Sequence, residues 1–111
     1  MNNQEFLNKL REVTNQNYQN ERFNVTGMAK AMKMSRKNLH RRVSFLEDQS
    51  PVEYLQNYRL EKAKHLLLDD AYNISEVAWD CGFSNGNYFA RLFRRKEGCS
   101  PGEWRKKQSE N

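Results

Sequence analysis

Arg36, Lys37, His40 and Arg41 fall within six residues of one another, and Arg91, Arg94, Arg95 and Lys96 form a second cluster. If each stretch is helical, at 3.6 residues per turn, most of its cations gather on one side, opposite apolar residues. Leu39, Val43 and Leu46 hold the opposite side in the first stretch, and Phe89, Leu92, Phe93 and the stem of Lys96 hold it in the second. Side chains of this kind donate hydrogen bonds to anionic oxygens. Arginine also presents a paired donor that fits the O6 and N7 edge of guanine. The chemistry on offer is recognition of a polyanion. Catalysis has no comparable support. The sequence has no nucleophile and base at working spacing, no phosphate-cradling glycine loop and no set of metal ligands.

The charge pattern is more informative than its sum. The 111 residues carry a formal charge of +5, which alone is a weak argument for an anionic partner. No Asp or Glu occurs between Glu21 and Glu47, where Arg22, Lys30, Lys33, Arg36, Lys37, Arg41 and Arg42 do. None occurs between Asp80 and Glu97, and Arg105, Lys106 and Lys107 add charge near the end. Acids concentrate in connecting parts, at Glu47, Asp48, Glu53, Glu61, Asp69 and Asp70. Cys81 and Cys99 stand at apolar positions without a paired motif, and His40 and His65 form no cluster with them. Both cysteines read as buried fillers in a reducing compartment, and no metal or other cofactor is expected. His65 reads as a solvent-side or boundary residue. No apolar run approaches the roughly 20 residues of a membrane helix, and no leader pattern opens the chain. A soluble, cytoplasmic protein without a membrane partner is expected.

The elements that position these cations follow from caps and periodicity. Phe6, Leu7, Leu10, Val13 and Tyr18 predict a core-completing helix over residues 4–18, with a polar loop from Asn15 to Glu21. Asn24 caps a short helix over Val25 to Met32, with Val25, Met28, Ala29 and Met32 inward. Lys33-Met34 makes a turn, and Ser35 caps a helix to about Glu47. Ser50-Pro51 starts a long helix through Val52, Leu55, Tyr58 or Arg59, Ala63, Leu66 and Leu67, ending near Leu68-Asp69. Its roughly 17 residues span about 25 Å. Asn73 with Glu76 forms a capping box, Gly82 sits where a tight turn calls for positive φ, and Ser84 or Asn85 caps the next helix. Gly98 and Pro101 end that helix before a last short one. Trp79 and Trp104 read as packing or lid residues.

The pattern occurs twice. Ala29 and Ala78 lie 49 residues apart, as do Met32 and Cys81. Leu39 and Phe89, Arg41 and Arg91, and Val43 and Phe93 each lie 50 apart. Two helix-turn-helix units with basic second helices predict a bipartite nucleic-acid site.

The residues that carry this pattern resemble a known family. Val77-Ala78, Gly82-Phe83-Ser84, Tyr88-Phe89, Arg91, Phe93, Gly98, Ser100-Pro101 and Trp104-Arg105 are similar to the signature region of AraC/XylS-type transcription regulators. Arg59-Leu60, Ala63 and Leu66-Leu67 resemble that family's connector helix. Met34-Ser35-Arg36, Leu39 and Arg41 resemble its first reading helix. The likeness runs from about residue 5 to 106. It implies an all-α, homeodomain-like domain of about seven helices, with two helix-turn-helix subdomains joined by a long central helix. The whole of 1–111 is then a single DNA-binding domain: a first subdomain over 4–49, a linker helix over 50–69 and a second subdomain over 72–108.

By position, the resemblance assigns Lys37, His40 and Arg41 of the first reading helix to base edges. From the second it assigns Gly86, Asn87, Ala90 and Arg91. Arg41 and Arg91 suit guanine, Asn87 suits adenine, and Lys37 reaches either a base or a phosphate. Arg36, Arg42, Ser84, Asn85, Arg94 and Arg95 are the phosphate candidates, and Arg59 is expected in a structural ion pair. Two departures stand out. Lys33 occupies a turn position where the family often has Gly, and Gly27 interrupts the short helix before it. Each is expected to cost up to about 1 kcal/mol, making the first subdomain the softer. Gly86 and Ala90 offer little hydrogen bonding, so the second helix leans on Asn87, Arg91, DNA shape and a thymine methyl against Ala90.

The function implied is sequence-specific binding of duplex DNA in two successive major grooves, to control transcription, usually by activation. Double-stranded DNA and RNA polymerase are the expected partners. The abrupt first helix favours the output domain of a larger sensor protein, with the sensor on its N-terminal side, over a stand-alone regulator. Two rivals predict different behaviour. A sequence-indifferent nucleic-acid binder shows a steep salt slope without base preference. A protein-interaction module on the same fold keeps its binding after Arg41→Ala and Arg91→Ala.

Overall fold

The computed structural model describes residues 1–110. Seven α-helices and no strand occur among them: α1 (Asn3–Asn17), α2 (Val25–Ala31), α3 (Arg36–Glu47), α4 (Pro51–Leu67), α5 (Ile74–Asp80), α6 (Gly86–Glu97) and α7 (Pro101–Ser109). No helix among the described residues is long and apolar enough to cross a membrane. The chain divides into two compact units, Met1–Tyr58 and a second from Arg59 onward.

The first unit buries Phe6, Leu10 and Val13 of α1 with Met28 and Ala29 of α2, Met32 beyond it, Leu39 and Val43 of α3, and Tyr54 and Leu55 of α4. Leu7, Tyr18, Val25 and Leu46 pack at its margin, half-buried. Helix α1 runs to Asn17, three residues into the stretch expected to be loop, because Asn17 Nδ2 donates to the Val13 carbonyl and closes the last turn. Thr14 is also fully buried; its hydroxyl donates to the Leu10 carbonyl at 2.7 Å, which satisfies it inside the core.

The second unit buries Leu60, Ala63 and Leu67 of α4 with Val77 and Ala78 of α5, Cys81 and Phe83 of the turn, and Phe89, Leu92 and Phe93 of α6. Its core is a chain of aromatic contacts. Phe83 meets Phe89 at 5.0 Å between centroids, Phe89 meets Phe93 at 5.8 Å, and Phe93 meets Trp104 edge-on at 6.1 Å. Burial pushes the Cys81 thiol up to about 12, helped by the Asp80 carboxylate and opposed by Lys62. Cys81 and Cys99 are both buried free thiols.

Caps set the helix ends. Asn24, Ser35, Asn73, Asn85 and Ser100 each accept from backbone amides one turn on. The cap of α6 is Asn85, which accepts from Asn87 N and Tyr88 N, and not Ser84. Ser50 and Glu53 exchange hydrogen bonds at 3.1 Å each before α4, as Ser100 and Glu103 do before α7. The duplication therefore extends beyond the paired helices, with Ser50-Pro51 matching Ser100-Pro101 50 residues on. Helix α4 ends at Leu67, where Arg105 Nε donates to the Leu67 carbonyl at 2.7 Å and takes up an orphan acceptor. Lys64 ties α4 to α6 through Glu97 at 2.6 Å and also meets Glu61.

Two apolar expectations fail. Val52, placed on the inward row of the long helix, is exposed, and Trp79, read as a packing or lid residue, is 62% exposed. Val52 lies in the first turn of α4, where the inward face has only begun. Helix α5 spends its inward positions on Val77 and Ala78, so Trp79 turns outward.

Candidate nucleic-acid interface

Both second helices are presented by the same backbone device. Met34 N donates to the Ala29 carbonyl and Lys33 N to the Lys30 carbonyl. Phe83 N donates to the Ala78 carbonyl and Gly82 N to the Trp79 carbonyl. This is the paired closure of a helix end through a left-handed residue, with φ of 57° at Lys33 and 90° at Gly82. An alanine supplies the acceptor in both copies, and an apolar residue, Met34 or Phe83, follows the left-handed position. Ser35 and Asn85 then open α3 and α6, and the free first-turn amides give each start partial positive charge.

On α3, Leu39 and Val43 are fully buried while Arg36, Lys37, His40 and Arg41 are exposed. Arg41 Nη2 donates to Asn38 Oδ1 at 3.1 Å, which steadies the guanidinium on the outward face. Arg42 faces α1. Its guanidinium lies 4.2 Å over the Phe6 ring and donates to the Met1 carbonyl and Asn3 Oδ1, each at 3.3 Å. Its half-buried place and its cation–π contact give it structural work beside any phosphate contact.

On α6, Phe89, Leu92 and Phe93 are buried, and Gly86, Asn87, Arg91, Arg94 and Arg95 are exposed, with Ser84 and Asn85 exposed before them. Ala90 is half-buried, so only part of its methyl reaches the surface. Arg91 and Arg95 flank a shallow open depression with Tyr88 and Leu92. Arg94 meets Glu103 at 3.7 Å, an exposed pair worth little in water. Glu97, the acid of this helix, turns to Lys64 and leaves the outward face basic. Arg59 is 9% exposed in the second unit; burial lowers its pKa from the ordinary guanidinium value, with Tyr88 acting against that.

Three residues absent from the sequence-level assignment share these faces: Asn38, Tyr88 and Phe45. Asn38 and Tyr88 occupy equivalent first-turn positions, 50 residues apart. Phe45 is 82% exposed. Its place off the Leu39–Val43–Leu46 row marks it as outward, but it carries no charge that would set it among the anion-binding side chains.

No group of three or more potential metal ligands occurs among the described residues. What each of the two faces offers is hydrogen-bond donors and positive charge.

The family model described as a helix-turn-helix domain matches residues 28–107. The chain belongs to this helix-turn-helix family, among its AraC/XylS-type members. The DNA-binding domain of AdpA, solved in complex with a target DNA, is 32% identical, with a TM-score of 0.79 over 87% of this chain and 89% of that one. The C-terminal domain of the response regulator yesN from Fusobacterium nucleatum is 25% identical, with a TM-score of 0.81 over 86% and 93%. The transcriptional activator RhaS from Escherichia coli O139:H28 is 37% identical over 78 residues, 70% of this chain and 28% of RhaS. Histidine kinase P4 from Formosa agariphila is 28% identical over 107 residues, 96% of this chain and 8% of the kinase. The chain thus spans less than a third of the length of these curated relatives.

Proposed function

We propose that this chain is the sequence-specific, duplex-reading domain of a transcription regulator, working by binding and not by catalysis. The observation that carries the reading is the repeated presentation: one closed turn, one capped helix and one outward basic face, built twice from different residues. Family membership and the DNA-bound AdpA relative support it. Lys37, His40 and Arg41 read base edges in one box; Asn87 and Arg91, with Gly86 and Ala90 allowing close approach, read the other. Arg36, Ser84, Asn85, Arg94 and Arg95 hold phosphates, and Arg42 does so with whatever reach its place over Phe6 leaves. The segments 4–49, 50–69 and 72–108 act together as one reader of two successive major grooves.

In the cell, this domain is the output of a larger cytoplasmic sensor protein, with the sensor on the N-terminal side. The small share of Histidine kinase P4 that it matches supports that reading. RNA polymerase is the partner through which it activates, a reading supported by the activator RhaS. Selection from random duplex DNA at two salt concentrations tests the core claim. Two short enriched boxes about one helical turn, or 34 Å, apart are expected. Retention without enrichment, vanishing as salt rises, would leave only a non-specific electrostatic binder.

A further inference from the structure

Phe45 is the most exposed of the large apolar side chains among the described residues, at 82%. It sits on α3, the helix whose outward face carries Lys37, His40 and Arg41. At 100° and 1.5 Å per residue, it follows Arg41 by about 40° around the helix and about 6 Å along it. It therefore shares a face with Arg41 and stands clear of the row formed by Leu39 and Val43. The equivalent position in α6, 50 residues on, is Arg95. The two reading helices differ here in kind, one offering an aromatic ring and the other a guanidinium.

A lone exposed phenylalanine usually needs no explanation. This one is continuous with a face whose positive charge fits duplex DNA and no apolar partner. The one large apolar feature in the major groove is the C5-methyl of thymine, and an aromatic side chain is among the groups that contact it. We propose that Phe45 is a specificity residue: it packs on a thymine methyl in the first box, about two base pairs from the base read by Arg41. The offset follows from the 6 Å along α3 against about 3.4 Å per base step. Arg95 at the matching place in α6 grips a phosphate, so the first box requires a thymine where the second tolerates any base.

The inference rests on the DNA-reading function proposed above. The test uses the duplex recovered by selection, with each thymine replaced in turn by deoxyuridine, which removes only the methyl. Affinities are measured for the wild type, Phe45→Ala and Phe45→Arg. Replacement at one thymine of the first box is expected to weaken the wild type about fourfold, the worth of one buried methyl-sized group. Both variants are expected to be indifferent to that change. Phe45→Arg is expected to steepen the salt slope by roughly one ion, as a new phosphate contact does. The exposure of Phe45 leaves the core untouched, and coincident far-UV melts check that the variants fold. An identical deoxyuridine profile in wild type and Phe45→Ala overturns the proposal, as does loss of activation in that variant with its DNA profile unchanged. Failure of selection to enrich any sequence removes the underlying function instead, and this inference with it.

Discussion

The two helix-turn-helix units solve one backbone problem with different residues. Each needs a left-handed residue to close its first helix and another to end its second. The second unit uses glycine at both places, Gly82 at φ 90° and Gly98 at φ 82°. The first uses Lys33 at 57° and Asp48 at 54°, where a Cβ crowds the next carbonyl. Asp tolerates this region better than Lys does, so Lys33 carries more of the strain. The capping differs in the same direction. Asn73 gains a reciprocal bond from Glu76, while Asn24 faces Gly27, which has no side chain to return one. Gly27 has a packing reason to stay: a Cβ there would lie 3.3 Å from the Phe23 ring. The cores also differ, with Leu39, Val43 and Tyr54 standing where the second unit has Phe89, Phe93 and Trp104. The same fold is thus reached with more backbone strain and smaller side chains in the first unit. That unit is expected to melt first. Both tryptophans, Trp79 and Trp104, lie in the second unit, so their fluorescence should report a later transition than far-UV ellipticity.

The largest effects test the cores. Phe93→Ala should destabilise by about 3–5 kcal/mol, the range for buried aromatic truncations. Val43→Ala at the equivalent place should lose about 2 kcal/mol, two buried methyl groups and a small cavity. Equal losses in denaturant titrations would sink the contrast. Trp104→Ala should fall below Phe93→Ala because the indole is only half-buried, and it should lower thermal stability more than DNA affinity measured well below the melt.

The next effects test whether each unit reads its own box. Arg41→Ala and Arg91→Ala should each cost about 1–3 kcal/mol of binding and relax one base position, in different boxes. Repeating the selection with each variant decides this. An unchanged base preference removes that arginine from the reading set.

Smaller effects test the turns. Gly98→Ala should lose about 1 kcal/mol through backbone strain alone, since a Cβ there meets nothing within 4 Å. Lys33→Gly should gain up to about 1 kcal/mol, less whatever the freer unfolded chain takes back. The gain should move the early far-UV transition and leave the tryptophan transition in place.

The smallest effect is acidic. Hydrogen bonds from Ser100, with Arg94 and Lys107 adding attraction, hold the Glu103 carboxyl below its ordinary value. A lowered folded pKa contributes stability above the ordinary glutamate value of about 4.3, and that contribution fades as pH falls through the folded value. Glu103→Gln should flatten this part of the stability-against-pH curve. An unaltered curve would show that the carboxylate does not hold α7.

Much of the fold was legible because caps and periodicity are local. Asn73 with Glu76, Ser35, Asn24 and Pro51 mark helix starts through hydrogen bonds that span one turn, and Gly82 announces its own left-handed turn. Leu39, Val43, Phe89 and Phe93 declare a buried face by spacing alone. The all-helical class and the family followed from these. Lys33 was harder, since its side chain gives no sign of positive φ and only its match to Gly82 does so. The outward basic faces were legible as charge and spacing, but the exposure of Phe45 was not, because an apolar residue on a basic face looks like a misplaced core residue. Trp79 shows the same blindness in reverse, since size and apolarity alone suggested packing.

The sequence by itself determined the helices, their caps, the duplicated frame and the sign of charge on each outward face. Those depend on interactions within a few residues, which a linear pattern contains. Only the tertiary structure decided the destination of each cation and each large apolar group. Arg42 lies over Phe6 from a position 36 residues away, Arg105 closes α4 across 38 residues, and Lys64 turns Glu97 off the basic face. Trp79 and Phe45 stay at the surface because smaller neighbours on their helices already fill the core. Such outcomes depend on which residues compete for one volume, and that competition is settled between helices distant in sequence.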